Sequence, residues 1–344
     1  MNQNGYVWKR TIFDSLMFAY LLCVVLVVIF DPDQKELLDL EQNFQVFLFG
    51  TVIGAGLSFL LNKKGWKTLG EMIFEPPFKK AHAEEETFWK TLSGWQLVIF
   101  VGVTFVVGLV VTRFSIYELL DEDGFAGAMR LFKGLVNPNL AILPKAVLNI
   151  VETIFMAFMA TILAIPIAFV LSFFAAKNIM TSRTGFAIYI SLRTLMNVSR
   201  SIEAVIWAII FSVWVGIGTF AGVLALMIHS IASLTKQYSE IVETVSEGPI
   251  EGIQSTGATK LQTIWFAIVP QVILPYISFT VYRWDINIRM ATIIGLVGGG
   301  GIGTMLIQYL GQAMWPEVGT IIMVIAFVVW FMDTASAYLR EALK

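Results

Sequence analysis

The chain has 344 residues, 57% of them hydrophobic and only 14% charged, with a mean hydropathy of +0.76. A soluble globular domain carries about 25% charged residues, so the solvent of this chain is largely lipid. A net charge of −2 without a long basic block gives no case for nucleic acid, and a single cysteine, Cys23, excludes an intrachain disulfide framework and a cysteine-based metal site.

A helix needs about 20 mostly apolar residues to cross the hydrocarbon core. Runs of this kind fall at 11–30, 44–61, 95–112, 147–174, 187–218, 220–236, 271–297 and 318–337, which predicts an all-α membrane protein of about eight spans. The first run follows Lys9 and Arg10; it is too long for a signal-peptide core and no small-residue cleavage site precedes Asp31-Pro32, so it is read as a retained anchor. The fifth and sixth runs are nearly continuous, and "GIGTFAG" at 216–222 is the turn signal that divides them.

Lysine and arginine in short loops mark the cytoplasmic side. The connection 62–94 holds Lys63, Lys64, Lys67, Lys79, Lys80 and Lys90, whereas 31–43, "DPDQKELLDLEQN", is acidic and is placed outside. Alternation then puts 175–186, with Lys177 and Arg183, the segment 237–270 and both termini in the cytoplasm. Composition shifts near residue 94, so residues 1–94, including "EPPFKKAHAEEE", read as a two-span extension and 95–344 as the core. The polar segment 113–145 is expected outside, lying on the membrane or touching an external partner.

"EGIQSTGATKLQTIWFAIVP", at 251–270, is too polar for its apolar surroundings. Ser246 and Pro249 suit a helix start. The short helix ends at Gly257. A second helix follows, with Leu261, Ile264, Trp265 and Ile268 on one apolar face. Pro270 and Pro275 are expected to break or kink the chain as it re-enters the membrane. Taken by itself, this is either a plain connection between spans or a docking element.

Charges inside the spans are costly and mark function or pairing. In "SLRTLMNVSRSIEAVIW" Arg193 and Arg200 share a face, and Glu203 is spaced to pair with Arg200. In "YRWDINIRMATIIG" Asp285 is spaced to pair with Arg289, which leaves Arg283 over. These six are the candidates for a cationic path. Guanidinium suits a phosphorus oxyanion because its donors match two oxygens at once. The competing reading is that the same charges staple spans together, or that Arg193 snorkels. Asn197, Ser199, Ser201 and Asn287 stand nearby as further donors or interhelical glue.

No G-x-x-x-x-G-K-[ST] is present, so the chain has no such cradle for ATP. "LSGWQ" at 92–96 places Trp95 where an ATPase signature needs glycine. Gly298, Gly300 and Gly303 of "GGGGIG" match G-x-G-x-x-G formally; without a preceding strand they read as a tight re-entrant turn. His82 and His229 are isolated and make no metal site, and no nucleophile–base spacing points to an enzyme.

Glu251-Gly252-Ile253, then Gly257 and Val269-Pro270, resemble the EAA loop of ATP-binding cassette importer permeases, with Gly-Ile in place of Ala-Ala, Ala267 in place of the usual Ile and Val269 in place of Leu. The longer stretch from Ser246 through "YRWDINIR" to "GGGGIG" resembles the phosphonate permeases, and the likeness covers about 95–344. The resemblance implies the type I importer fold in a bacterial plasma membrane. It implies two copies of this chain, two cytoplasmic ATPase subunits that bind ATP and Mg, and an external binding protein. It also implies that Glu247, Pro249, Ile250, Glu251, Gly252, Ile253, Gly257 and Pro270 form the loop that docks on the ATPase. An importer of the same build for another solute such as methionine, and a stand-alone secondary anion carrier, remain the alternatives.

Overall fold

The computed structural model describes residues 3–30, 40–64, 66–74 and 88–342. Residues 31–39 of the acidic connection, the "EPPFKKAHAEEE" linker with Lys79, Lys80 and His82, and Lys344 lie outside them. Among the described residues every regular element is helical. By contact the chain divides into Met1–Gly124 and Phe125–Lys344.

The first unit holds α1 (Gln3–Phe30), α2 (Leu40–Lys63), α3 (Leu69–Phe74), α4 (Leu92–Val111) and α5 (Ile116–Leu119). Gly50 and Gly54 let α2 lie directly on Ser15 and Ala19 of α1; a Cβ on Gly54 would sit 2.9 Å from the Ser15 Cα. Without a hydrophobic force between helices in lipid, such small-residue contacts and interhelical hydrogen bonds supply the adhesion. Asp14, fully buried, accepts from the Ser58 hydroxyl and the Gly70 amide, each at 2.9 Å. The Gln96 side chain accepts from the Leu69 amide at 2.7 Å, and Arg10 pairs with Glu71 at 3.3 Å. Helix α4, which the composition shift groups with the core, therefore makes its contacts with α1 and α3.

The second unit begins within α6 (Glu122–Val136) and continues through α7 (Leu143–Phe174), α8 (Arg183–Ser201), α9 (Ala204–Val215), α10 (Thr219–Glu243), α11 (Glu247–Ser255), α12 (Lys260–Thr263), α13 (Val269–Leu296), α14 (Gly301–Gly311) and α15 (Trp315–Ala342). A π-turn at Ile264–Ile268 joins α12 to α13. Helices α7 and α10 form the central pair. Ala157, Ala160, Ala164 and Ala168 of α7 and Ala221 and Ala225 of α10 are all fully buried, a spacing of three and four that keeps one slim face per helix.

Six helical stretches among the described residues are long and apolar enough to cross a membrane: Phe44–Leu61, Leu92–Val111, Leu140–Phe174, Thr219–Glu243, Lys260–Gly311 and Trp315–Ala342. The run 11–30 lies in α1. The run 187–218, read from sequence as one span, is two helices, α8 and α9, bent by 88°, which together are long and apolar enough for one broken span or a re-entrant loop. The division expected at "GIGTFAG" is there, with Gly216 at φ +95° between α9 and α10.

The glycine run after α13 is a tight turn. Gly298, Gly300 and Gly301 all have positive φ, the Gly218 amide donates to the Gly298 carbonyl at 2.9 Å, and α14 folds back so that Gly303 presses on Thr292 and Gly295. Gly300 (φ +79°, ψ −172°) occupies a region that is essentially glycine-only, and a Cβ there would lie 2.6 Å from the Thr219 amide nitrogen. Gly300→Ala is expected to cost about 2 kcal/mol and lower the thermal midpoint of the purified protein by roughly 5 °C; an unchanged melting curve would refute the strained-turn account.

Candidate functional site

The stretch singled out in the sequence folds as an elbow. Ser246, in extended backbone, precedes α11; its amide donates to the Gln271 side chain at 3.0 Å, and Gln271 in turn donates to the Ala267 carbonyl at 2.7 Å. The start of α11 is thereby tied to α13. Ile250 turns inward and packs with the core around Ile268 and Tyr276, and Ile253 is half-buried. Glu247, Pro249, Glu251 and Gly252 face solvent, and a Cβ on Gly248 or Gly252 would meet nothing within 4 Å. The open face of α11 is thus acidic and almost smooth. Gly257 (φ +82°) stops the helix, and a capping box between Thr259 and Gln262 starts the next one.

Two expectations change here. Of the expected break or kink at Pro270 and Pro275, the break does not occur, because the helix runs on through both of them. Pro270 has no N–H for the Phe266 carbonyl, and the π-turn directly before it accommodates that lost bond. The expected apolar face is also split: Ile264 and Ile268 point inward while Leu261 and Trp265 stay exposed, as apolar side chains near lipid can. Alongside α11 is a half-open cavity of about 430 Å³, bordered by Asn178, Glu243, Glu247, Glu251 and Lys260.

Four residues before α11, Glu243 closes α10. Its carboxylate pairs with Arg193 of α8 at 2.8 Å and accepts the Lys177 amide at 2.9 Å. Arg193 also donates to the Tyr189 hydroxyl at 2.8 Å. The end of α10 that leads into the elbow is therefore linked to α8 by an ion pair that sequence spacing, which works only within one helix, had no means to indicate.

At its far end α8 stops at Ser201. Ile202 (φ −87°, ψ 119°) and Glu203 (φ −60°, ψ 145°) are extended, and α9 begins at Ala204 with no side-chain cap. The expected Arg200–Glu203 pair does not form, because i,i+3 neighbours meet only on a continuous helix and the helix breaks between them. Both residues are exposed on this chain. The Asp285–Arg289 pair does form, at 2.7 Å, with Asp333 of α15 a further 3.6 Å partner for Arg289.

Arg283 is different: only 7% exposed, it has no carboxylate within salt-bridge distance among the described residues. Its Nε donates to the Ser230 hydroxyl at 3.3 Å. Asn287, one turn along α13 and fully buried, donates to Ser230 and to Thr161, both at 2.8 Å. Three helices, α7, α10 and α13, thus converge on one polar knot. Only Arg283 and Asn287 were visible in sequence; Ser230 and Thr161 look like any small polar residue in a span.

The profile of the family described as binding-protein-dependent transport system inner membrane component matches residues 146–344, more than half of the chain. The chain belongs to that family. The match runs from α7 to the C-terminal end, so both the elbow and the polar knot fall inside it. The permease is 32% identical to the phosphite transport system permease protein PtxC of Stutzerimonas stutzeri over 75% of its own length and 91% of that relative. It is 30% identical to the putative phosphite transport system permease protein HtxC of the same organism, over 68% of its length and 83% of the relative. Among solved structures, a chain of the inward-facing MetNI methionine ABC transporter superposes with a TM-score of 0.52 at 19% identity, covering 60% of the permease and 99% of that chain. The permease therefore has the fold of type I importer membrane subunits and is a multi-pass component of the inner membrane.

Proposed function

We propose that the permease is the membrane half of an ATP-driven importer for a small phosphorus oxyanion such as phosphite, a phosphonate or a phosphate ester. The observation that carries this reading is the elbow. An exposed, glycine-stopped helix turns at residues 256–259 into a helical segment that runs unbroken from Lys260 into a long span, and the Ser246 amide on Gln271 ties its start to that same span, so a push on α11 reaches α13 at both ends. The push comes from a separate pair of cytoplasmic ATPase chains, which hold ATP and Mg and grip the open face of α11. An external binding protein delivers the cargo and supplies most of the selectivity. Phosphite as cargo is supported by the relatives named above and by the surplus of guanidinium groups within the spans.

Two copies of the chain form the path. Arg200 and Glu203 stand exposed at the α8–α9 break, where charge turned toward lipid costs about 2.5–3.5 kcal/mol each. A second copy facing this surface across an aqueous gap removes that cost, and irregular backbone at membrane depth is tolerated in the same setting. Arg289 and Asp285 lie near this path, Arg193 serves the latch to Glu243, and Arg283 stands behind it. The N-terminal 1–94 is an added two-span module, and α4 packs on it.

The test is accumulation of phosphite in liposomes carrying the permease with its ATPase. Uptake that requires both ATP and the external binding protein is the expected result. Uptake by the permease alone under an ion gradient would make it a secondary carrier and overturn the reading; ATP-dependent uptake of methionine but not phosphite would overturn the cargo.

A further inference from the structure

Arg283 poses a physical problem that the importer reading does not resolve. A guanidinium buried inside a membrane bundle is costly unless an anion or a full set of acceptors compensates it. Its Nη2 has no hydrogen-bond partner among the described residues. Among the described residues its Nε has one acceptor, the Ser230 hydroxyl, which Asn287 also uses. Next to it the Asn287 Oδ1 is likewise buried and unpartnered. The orientation of that amide is fixed, because Thr161 spends its own hydrogen on the Ala157 carbonyl at 2.7 Å and so must accept from Asn287 Nδ2. One strong donor and one acceptor are left open, each two bonds from the nitrogen that its side chain places on the Ser230 oxygen.

We propose that Arg283, Asn287 and Ser230, backed by Thr161, form an intramembrane subsite for a singly protonated tetrahedral oxyanion. This rests on the importer reading above and names the protonation state of the cargo. An ionised oxygen of the ligand takes the free Arg283 Nη2–H, and the ligand's remaining P–OH donates to Asn287 Oδ1. A fully ionised oxyanion offers acceptors only and leaves the Asn287 oxygen unpaired, a penalty of the kind that rejects near-isosteres strongly. Sulfate, which has no such proton at neutral pH, is rejected on the same ground.

Entry is from the α8–α9 break. The two helices that meet at this break both pack on α10, the helix that carries Ser230 and its neighbour His229. Helix α9 begins there without a side-chain cap, so its N-terminal amides and dipole face an incoming anion as the half-helices of other carriers do. The titratable and charged groups around the subsite are Glu203 and Arg200 at the break, His229 on α10, and Tyr282 on α13 itself; Asp285 is committed to Arg289.

The experiment is 31P NMR titration of methylphosphonate onto the full-length permease in lipid nanodiscs, with sulfate as competitor, at about pH 6 and about pH 9, on either side of the second ionisation of such groups. Binding is expected to weaken at least 10-fold at the higher pH and to be indifferent to sulfate. Arg283→Gln is expected to weaken it at least 10-fold, with Arg283→Lys intermediate; the wild-type pH profile and sulfate competition need no variant and stand even if Arg283→Gln fails to insert. His229→Gln is expected to keep the pH profile. Loss of that profile in His229→Gln, tighter binding at high pH, or equal competition by sulfate each overturns the proposal. If ATP-driven phosphite uptake is intact but Arg283→Gln binds methylphosphonate normally, the subsite fails and the importer reading survives. If phosphite uptake is absent while the pH-dependent binding is present, the importer reading fails and the subsite survives.

Discussion

Gly257→Pro is expected to abolish ATP-driven uptake while the permease still inserts and still binds its ATPase partner weakly. Gly257 sits at φ +82° and its amide donates to the Gln254 carbonyl at 3.0 Å. Proline is locked near φ −65° and has no N–H, so it can satisfy neither requirement. The chain must then leave α11 in another direction, and the open face of Glu247, Gly248, Glu251 and Gly252 is re-aimed. A fall in uptake of at least about 100-fold, roughly 2.7 kcal/mol, is the expected size. Gly257→Asn separates geometry from composition: a Cβ here meets nothing within 4 Å, and asparagine enters the left-handed region at modest cost. That variant should stay within about threefold of wild type. Glu251→Lys, which reverses the charge on the same face without touching the backbone, should also uncouple hydrolysis from transport. Normal uptake by both Gly257→Pro and Glu251→Lys would remove the docking role from this helix.

The second large effect concerns the latch between α8 and the end of α10 that leads into the elbow. Glu243 holds Arg193 at 2.8 Å and the Lys177 amide at 2.9 Å, and each partner is only about a quarter exposed, with side-chain values of 26% for Glu243 and 24% for Arg193. Hydrogen bonds to charged groups contribute about 1.5–3 kcal/mol each, less where solvent screens them. Arg193→Glu places two carboxylates together and should lower coupled uptake about 30-fold while leaving ATP hydrolysis running. Glu243→Arg should be worse, because it also strands the Lys177 amide. Restoring opposite charges in the Arg193→Glu, Glu243→Arg double variant should recover a substantial part of the loss. The double-variant cycle in proteoliposomes is the measurement; strictly additive losses would mean that the pair transmits nothing between α10 and α8.

Local chemistry made the ends of elements legible. Ser246, Pro249 and Gly257 announce a short helix, and the structure places one at Glu247–Ser255. "GGGGIG" announces a tight turn, and three of its glycines adopt positive φ. What sequence concealed is of two kinds. The α8–α9 break has no glycine or proline; only the passage from polar "NVSRSIE" into the apolar run from Ala204 hinted at it, and reading 187–218 as one span produced the false Arg200–Glu203 pair. Contacts between distant helices were invisible for a different reason. Glu243 lies 50 residues from Arg193, and Thr161 lies 126 residues from Asn287. No periodicity encodes such meetings, so the latch and half of the polar knot required the fold.

The π-turn ahead of Pro270 has a geometric consequence. Each residue of an α-helix advances the chain by about 100° around its axis. Ile264–Ile268 holds one residue more per turn than regular winding would, and everything upstream of it is attached to the span through that extra step. The bearing of α12 around α13 is therefore set by residue count along this turn, and Gly257 then sets the direction of α11. Substitutions along the turn leave that bearing alone, whereas losing a single residue swings α12 about a quarter-turn around the span.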